Sequence, residues 1–176
     1  MENLKYWIWL SQIEKLSFRK KFELVEKFND LEQLYFMTKE ELLEKGVSEK
    51  DADKITNIEY KNNIEKYIEY MQKNNIKVIN LYNNNYPQKL KQIYDPPIVL
   101  YLKGNEKILN EYGLAIVGCR DCTKYGEYVS KKIAYNLGKN NINVISGLAR
   151  GIDSFSHIGS IQANYKTIAV VRMWTR

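Results

Sequence analysis

The sequence predicts an α/β protein: an incomplete, Rossmann-like parallel sheet preceded by a small all-helical region. Three observations carry this. Apolar residues over positions 1–70 recur at helical spacing. Three β-rich runs then alternate with helical patterns, the order of a sheet built from right-handed crossovers. Two of those runs end in glycine turns that open directly into helices. The expected division is a helical domain over 1–72, a sheet domain over 73–171 and a short tail over 172–176.

In the helical region, Trp7, Leu10, Ile13 and Leu16 share one face, and Phe22, Val25 and Phe28 share the next. Ser17 and Asn29-Asp30 read as caps or turns between short helices. Glu44-Lys45-Gly46-Val47 ends a helix at glycine, and Ser48-Glu49-Lys50-Asp51 reads as a capping-box variant. Ile55, Ile58, Ile64, Tyr67 and Met71 continue the pattern. The single Gly46-Val47 turn is a thin basis for a DNA-gripping hairpin, so packing or partner binding is the favoured role of this region.

Asn74-Asn75 break the helix, and Ile76–Ile79 starts a strand. Asn83–Pro87 is a loop, Leu90 and Ile93 lie on a short helix, and Tyr94-Asp95-Pro96-Pro97 is a stiff turn because proline restricts itself and its predecessor. Strands follow at Ile98–Leu102, Leu114–Val117, Asn143–Ser146 and Thr167–Val171. Between the last three lie a helix from about Lys124 to Gly138, with Tyr125, Val129, Ile133 and Leu137 on one face, and a helix carrying Ile152, Phe155, Ile158 and Ile161.

Of the 176 residues, 44% are hydrophobic and 27% charged, the balance of a soluble globular chain. No apolar run is long enough to span a membrane, and the start is too charged for a signal peptide, so the cytoplasm is expected. A net charge of +6 favours an acidic partner such as nucleic acid. The frequent Asn, Lys, Ile and Tyr look like the mark of an A/T-rich genome and carry no functional meaning.

The chemistry concentrates at the glycine turns. Gly118-Cys119-Arg120 follows one strand, and Ser146-Gly147-Leu148-Ala149-Arg150-Gly151-Ile152-Asp153 follows the next. Glycine lets backbone approach a ligand closely, arginine suits phosphate, and a helix N-terminus favours an anion. Two helix N-termini with Arg120 and Arg150 are therefore expected to converge on one anion. The first turn lacks the G-x-G-x-x-G of dinucleotide binding, and no Walker loop is present. Cys119 and Cys122 with His157 fall short of the ligand count of a structural zinc site, and read best as small residues of a turn. Asp153 and His157, one helical turn apart, admit an acid–base pair, but turn-holding and edge packing are the favoured roles.

An ordered set of residues carries a family resemblance: Tyr86-Pro87 with Leu90 and Ile93; Asp95-Pro96-Pro97; Leu100-Tyr101 and Lys103-Gly104; Ala115–Arg120 with Thr123 and Tyr125-Gly126; Ser146–Asp153 and His157. Over about residues 80–171 this closely resembles the DNA-processing protein A family (DprA/Smf), and the helical region resembles that family's SAM-like domain. The resemblance implies a non-enzymatic, cofactor-free protein with an extended Rossmann fold. Such a protein binds single-stranded DNA in natural transformation and loads a RecA-type recombinase. Carried over by motif, Gly118 and Arg120 form the first phosphate turn and Ser146, Gly147, Arg150 and Gly151 the second, with Asp153 shaping the loop. Cys119 stands where the family usually has Ser or Ala. The alternative is a nucleotide-processing enzyme of the lysine-decarboxylase-like phosphoribohydrolase type, whose P-G-G-x-G-T-x-x-E motif this chain lacks.

The family pattern continues beyond the third strand with glycines, whereas here Arg172-Met173-Trp174-Thr175-Arg176 follows. Written with the codons AGG ATG TGG ACT AGA and read one base later, these residues become Gly-Cys-Gly-Leu, close to the family's continuation. The expectation is a frameshift tail on a truncated product with reduced stability, in which homodimerisation and recombinase loading are weakened; sequencing the locus past Arg176 tests it.

Overall fold

The computed structural model describes residues 2–171; the proposed tail at 172–176 lies outside the described residues. The fold is mixed, with a helical N-terminal region and a parallel three-stranded sheet, as the sequence predicts. The chain divides into two compact units, Met1–Glu106 and Lys107–Arg176.

The first unit opens with helices α1 (Glu2–Gln12), α2 (Phe18–Lys27), α3 (Leu31–Phe36), α4 (Lys39–Glu44), α5 (Glu49–Ile55), α6 (Ile58–Asn62) and α7 (Ile64–Lys73). The starts of α2–α6 are set by side-chain caps, which satisfy backbone N–H groups that have no partner inside the helix. Ser17 accepts from Lys20 N, Asp30 from Glu32 N and Ser48 from Asp51 N. Thr38 and Glu41 form a full reciprocal capping box. Gly46, at φ 73, ends α4 in the left-handed conformation, and Val47 N–H returns to Leu42 O at 3.0 Å. The buried face of α1, with Trp9 and Leu10 fully buried, and Ile13 just after it centre a core that includes Leu34, Leu42, Ile55 and Ile64. Buried Lys21 donates to Ser11 O at 2.6 Å, placing a cation at the C-terminal end of α1.

Strands β1 (Lys77–Asn80) and β2 (Val99–Leu102) form a separate antiparallel pair with Lys77 opposite Leu102. Between them lie α8 (Gln88–Lys91) and buried Tyr86, whose hydroxyl donates to Pro97 O at 2.7 Å. The Tyr101 hydroxyl of β2 bonds Ser11 and Gln12 of α1. These two strands therefore belong to the first unit, so the boundary between units falls at Glu106/Lys107, whereas the sequence reading draws it at 72/73.

In the second unit, β3 (Gly113–Ala115), β4 (Asn143–Ser146) and β5 (Thr167–Ala169) are parallel, in the order β3-β4-β5. Helices α9 (Lys124–Lys139) and α10 (Ile152–Gln162) make the crossovers and pack closely together. The buried face differs from the one that apolar periodicity suggests. Tyr125 and Ile133 of α9 are exposed, as are Ile158 and Ile161 of α10. Ser130, Ala134 and Gly138 pack inward instead, opposite Ser156, Gly159 and Ser160. Close approach explains the choice: a Cβ on Gly159 would collide with the Lys131 carbonyl and come within 2.9 Å of Ala134 Cβ. Only small side chains admit backbones so near.

Candidate nucleic-acid interface

Both glycine turns lie at the C-terminal ends of adjacent parallel strands, β3 and β4. Beyond β3 the backbone stays in register for one more residue, with Ile116 N–H donating to Ile145 O at 3.0 Å. The buried Ser146 hydroxyl donates to Ile116 O at 2.6 Å, tying the root of one turn to the other. Gly118 then passes over Ile152; a Cβ there would lie 2.7 Å from Ile152 Cγ1. The first turn ends at Thr123, which caps α9 by accepting from Gly126 N at 3.1 Å.

The second turn is wound more tightly. Gly147 N–H donates to the buried Asp153 carboxylate at 3.2 Å. Leu148 adopts φ 56, in the left-handed region. Ser154 donates to Ala149 O through both its N–H, at 3.1 Å, and its hydroxyl, at 2.5 Å. Gly151 sits at φ 80, ψ −133 with its α-carbon pressed on the first turn: a Cβ would strike the carbonyl oxygens of Cys119 and Arg120. Ile152 N–H donates to Cys119 O at 3.2 Å and locks the two turns together.

Gly118, Arg120, Arg150 and Gly151 thus meet on one edge, and Ser146, Gly147 and Asp153 form the bonded scaffold beneath them. The helix N-termini contribute less than the sequence suggests. The N–H groups of Ile152 and Ser154 bond to carbonyls of the turns, and that of Gly126 is taken by Thr123. The Asp153 carboxylate adds a negative charge under the α10 entrance. The attraction for an anion therefore rests on the arginines, both exposed. Arg150 Nη2 lies 3.8 Å from Asp121 Oδ1, an open ion pair that holds the guanidinium over the first turn at little energetic gain. Sequence reasoning missed Asp121; its signal is an acid directly after Arg120.

His157 lies buried behind the turn. The Thr167 hydroxyl donates its one hydrogen to Val144 O at 2.8 Å, so it accepts from His157 Nδ1–H at 2.7 Å. Nε2 is then the bare nitrogen, buried and without a partner among the described residues. Burial pushes the imidazole below its ordinary pKa, with the Asp153 charge opposing. The unfolded chain therefore takes up this proton more readily than the native one. The stabilising contribution is complete above about pH 6.5 and is lost as pH falls through the lower native value. Melting of the full chain between about pH 7.5 and 5 should fall more steeply than that of His157→Asn; parallel curves would contradict this assignment. Among the described residues, no three His, Cys, Asp or Glu side chains cluster as metal ligands, and no helix is long and apolar enough to cross a membrane.

The family model for DNA recombination-mediator protein A matches residues 77–173. DNA processing protein DprA of Streptococcus pneumoniae is 42% identical over 86 residues, covering 49% of this chain and 30% of that protein. Protein Smf of Borreliella burgdorferi is 39% identical over 101 residues, 57% of this chain and 32% of that protein. Protein Smf of Synechocystis is 32% identical over 173 residues, spanning 94% of this chain and 43% of that protein. The X-ray structure of the Streptococcus pneumoniae protein superposes with a TM-score of 0.64 at 26% identity, covering 95% of this chain and 57% of that one. The chain spans about a third of the length of the first two curated relatives, at 30% and 32%. On the extent of the family match, the chain belongs to the DNA recombination-mediator protein A family.

Proposed function

We propose that this chain binds single-stranded DNA through Gly118, Arg120, Arg150 and Gly151, on turns braced by Ser146, Gly147 and Asp153, as part of DNA processing and recombination in the cytoplasm. The observation that carries the reading is the pair of exposed arginines on two glycine turns locked by the Ile152–Cys119 hydrogen bond. Arginine grips phosphate in a planar, bidentate way, and contacts to phosphate carry no sequence information. Binding rather than catalysis is supported by the commitments of the two best acid–base candidates: the Asp153 carboxylate to Gly147 N–H and His157 Nδ1 to Thr167. Recombinase loading and dimer formation are part of the same proposal only for a chain carrying the remainder of the family's length.

The test is anisotropy of a labelled oligothymidylate titrated with the full chain at several salt concentrations. Arg120→Ala and Arg150→Ala should each weaken binding. Each should also flatten the logarithmic salt dependence by about 0.7 for every phosphate left without its cation. Wild-type affinity and slope in the double variant would remove the site.

A further inference from the structure

The first unit carries exposed aromatic rings that its own fold leaves open. Tyr94 is 77% exposed and Tyr82 54% exposed. Each is backed by a cation. Arg19 Cζ lies 4.9 Å from the Tyr94 ring centroid and 5.8 Å from that of Phe22, bridging α2 and the turn before Pro96-Pro97. Its Nη1 also donates to Tyr94 O at 3.4 Å, and its Nε to Glu23 at 3.1 Å. Lys91 Nζ lies 5.6 Å from the Tyr82 centroid, and that ring makes a T-shaped contact with buried Trp7 at 5.6 Å. The Tyr82 hydroxyl donates to Glu26 at 2.8 Å. Both rings are held in place before any ligand arrives, so little conformational entropy remains to be lost on stacking.

We infer that Tyr94 and Tyr82, with Arg19 and Lys91, form a base-stacking platform for single-stranded nucleic acid, in addition to the glycine turns. The inference rests on the single-strand reading of those turns. An exposed ring face stacks on any base, and an adjacent cation attracts the phosphate that follows it; that pairing of features defines sequence-tolerant single-strand surfaces. The local charge agrees. On α2, α8 and the flanking turn, Arg19, Lys20, Lys21, Lys27, Lys89 and Lys91 outnumber Glu23, Glu26 and Asp95, a balance that favours an anionic partner.

The experiment uses the full chain and the same labelled oligothymidylate. Tyr94→Ala should weaken binding by between about fivefold and a hundredfold, the span of one missing base stack. The salt slope should stay at the wild-type value, because stacking releases no counterions, and Tyr94→Phe should bind normally. Irradiation of the wild-type complex with an oligonucleotide containing 5-iodouracil should place an adduct on a peptide holding Tyr94 or Tyr82. Unchanged affinity in Tyr94→Ala, or adducts confined to peptides of residues 107–171, overturns the platform. If Arg120→Ala and Arg150→Ala still flatten the salt slope in that case, the glycine-turn site stands alone; if they too are silent, both proposals fail.

Discussion

Gly151→Ala should destabilise the second unit by about 3 kcal/mol or more, more than other single methyl additions to these turns. Two independent costs add. The backbone at φ 80, ψ −133 lies in a region that residues with a Cβ avoid, at about 1–3 kcal/mol. The new methyl would also overlap the carbonyl oxygens of Cys119 and Arg120 and come within 2.7 Å of Arg120 C. All three atoms are backbone, so no side chain can swing away; the first turn must move and take Arg120 with it. Gly104→Ala is the control, since Gly104 has φ 118 but nothing within 4 Å of a Cβ. Hydrogen exchange reads the loss, over residues 107–171 for Gly151→Ala and over residues 2–106 for Gly104→Ala, and the excess of the first over the second isolates the collision. Equal losses would show that the turns do not press on each other.

Trp9→Ala should cost the first unit about 3–5 kcal/mol, the usual range for emptying a buried aromatic site. Trp9 is fully buried, and its ring meets Tyr35 edge-on at 5.0 Å. Yet its indole N–H finds no acceptor among the described residues, an unmade bond that itself costs about 1–3 kcal/mol. Trp9→Phe removes that donor while keeping an aromatic ring in the site, so its loss should be clearly smaller than that of Trp9→Ala. Exchange protection of peptides within residues 2–106 measures both. A Trp9→Phe loss as large as that of Trp9→Ala would mean that indole volume alone decides the packing.

Much of the local structure is legible in the sequence. Ser17, Asp30 and Ser48 act at the helix starts where their side chains suggest, because capping links a hydroxyl or carboxylate to an N–H only two or three residues away. The stop at Gly46 and both glycine turns follow the same short-range logic. The α9–α10 interface is not legible in this way. Periodicity marks an apolar stripe, but it cannot report that the partner helix comes so close that only Ser130, Ala134, Gly138 and Gly159 fit between. The anion site is legible in composition and not in wiring. Glycines and arginines announce it, whereas the commitment of Ile152 N–H to Cys119 O on the opposite turn depends on approach between segments some thirty residues apart.

Order along the chain was enough to set the alternation of helices and strands, the succession of parallel strands, the family, and the place of the two glycine turns at strand ends. Each depends on near neighbours or on a fixed ordered motif. Three outcomes came only with the folded arrangement: β1 and β2 join the helical unit, small residues form the α9–α10 seam, and Ser146 turns inward as a brace. Those outcomes depend on which surfaces meet and how closely, and distance between segments is not encoded in any local pattern.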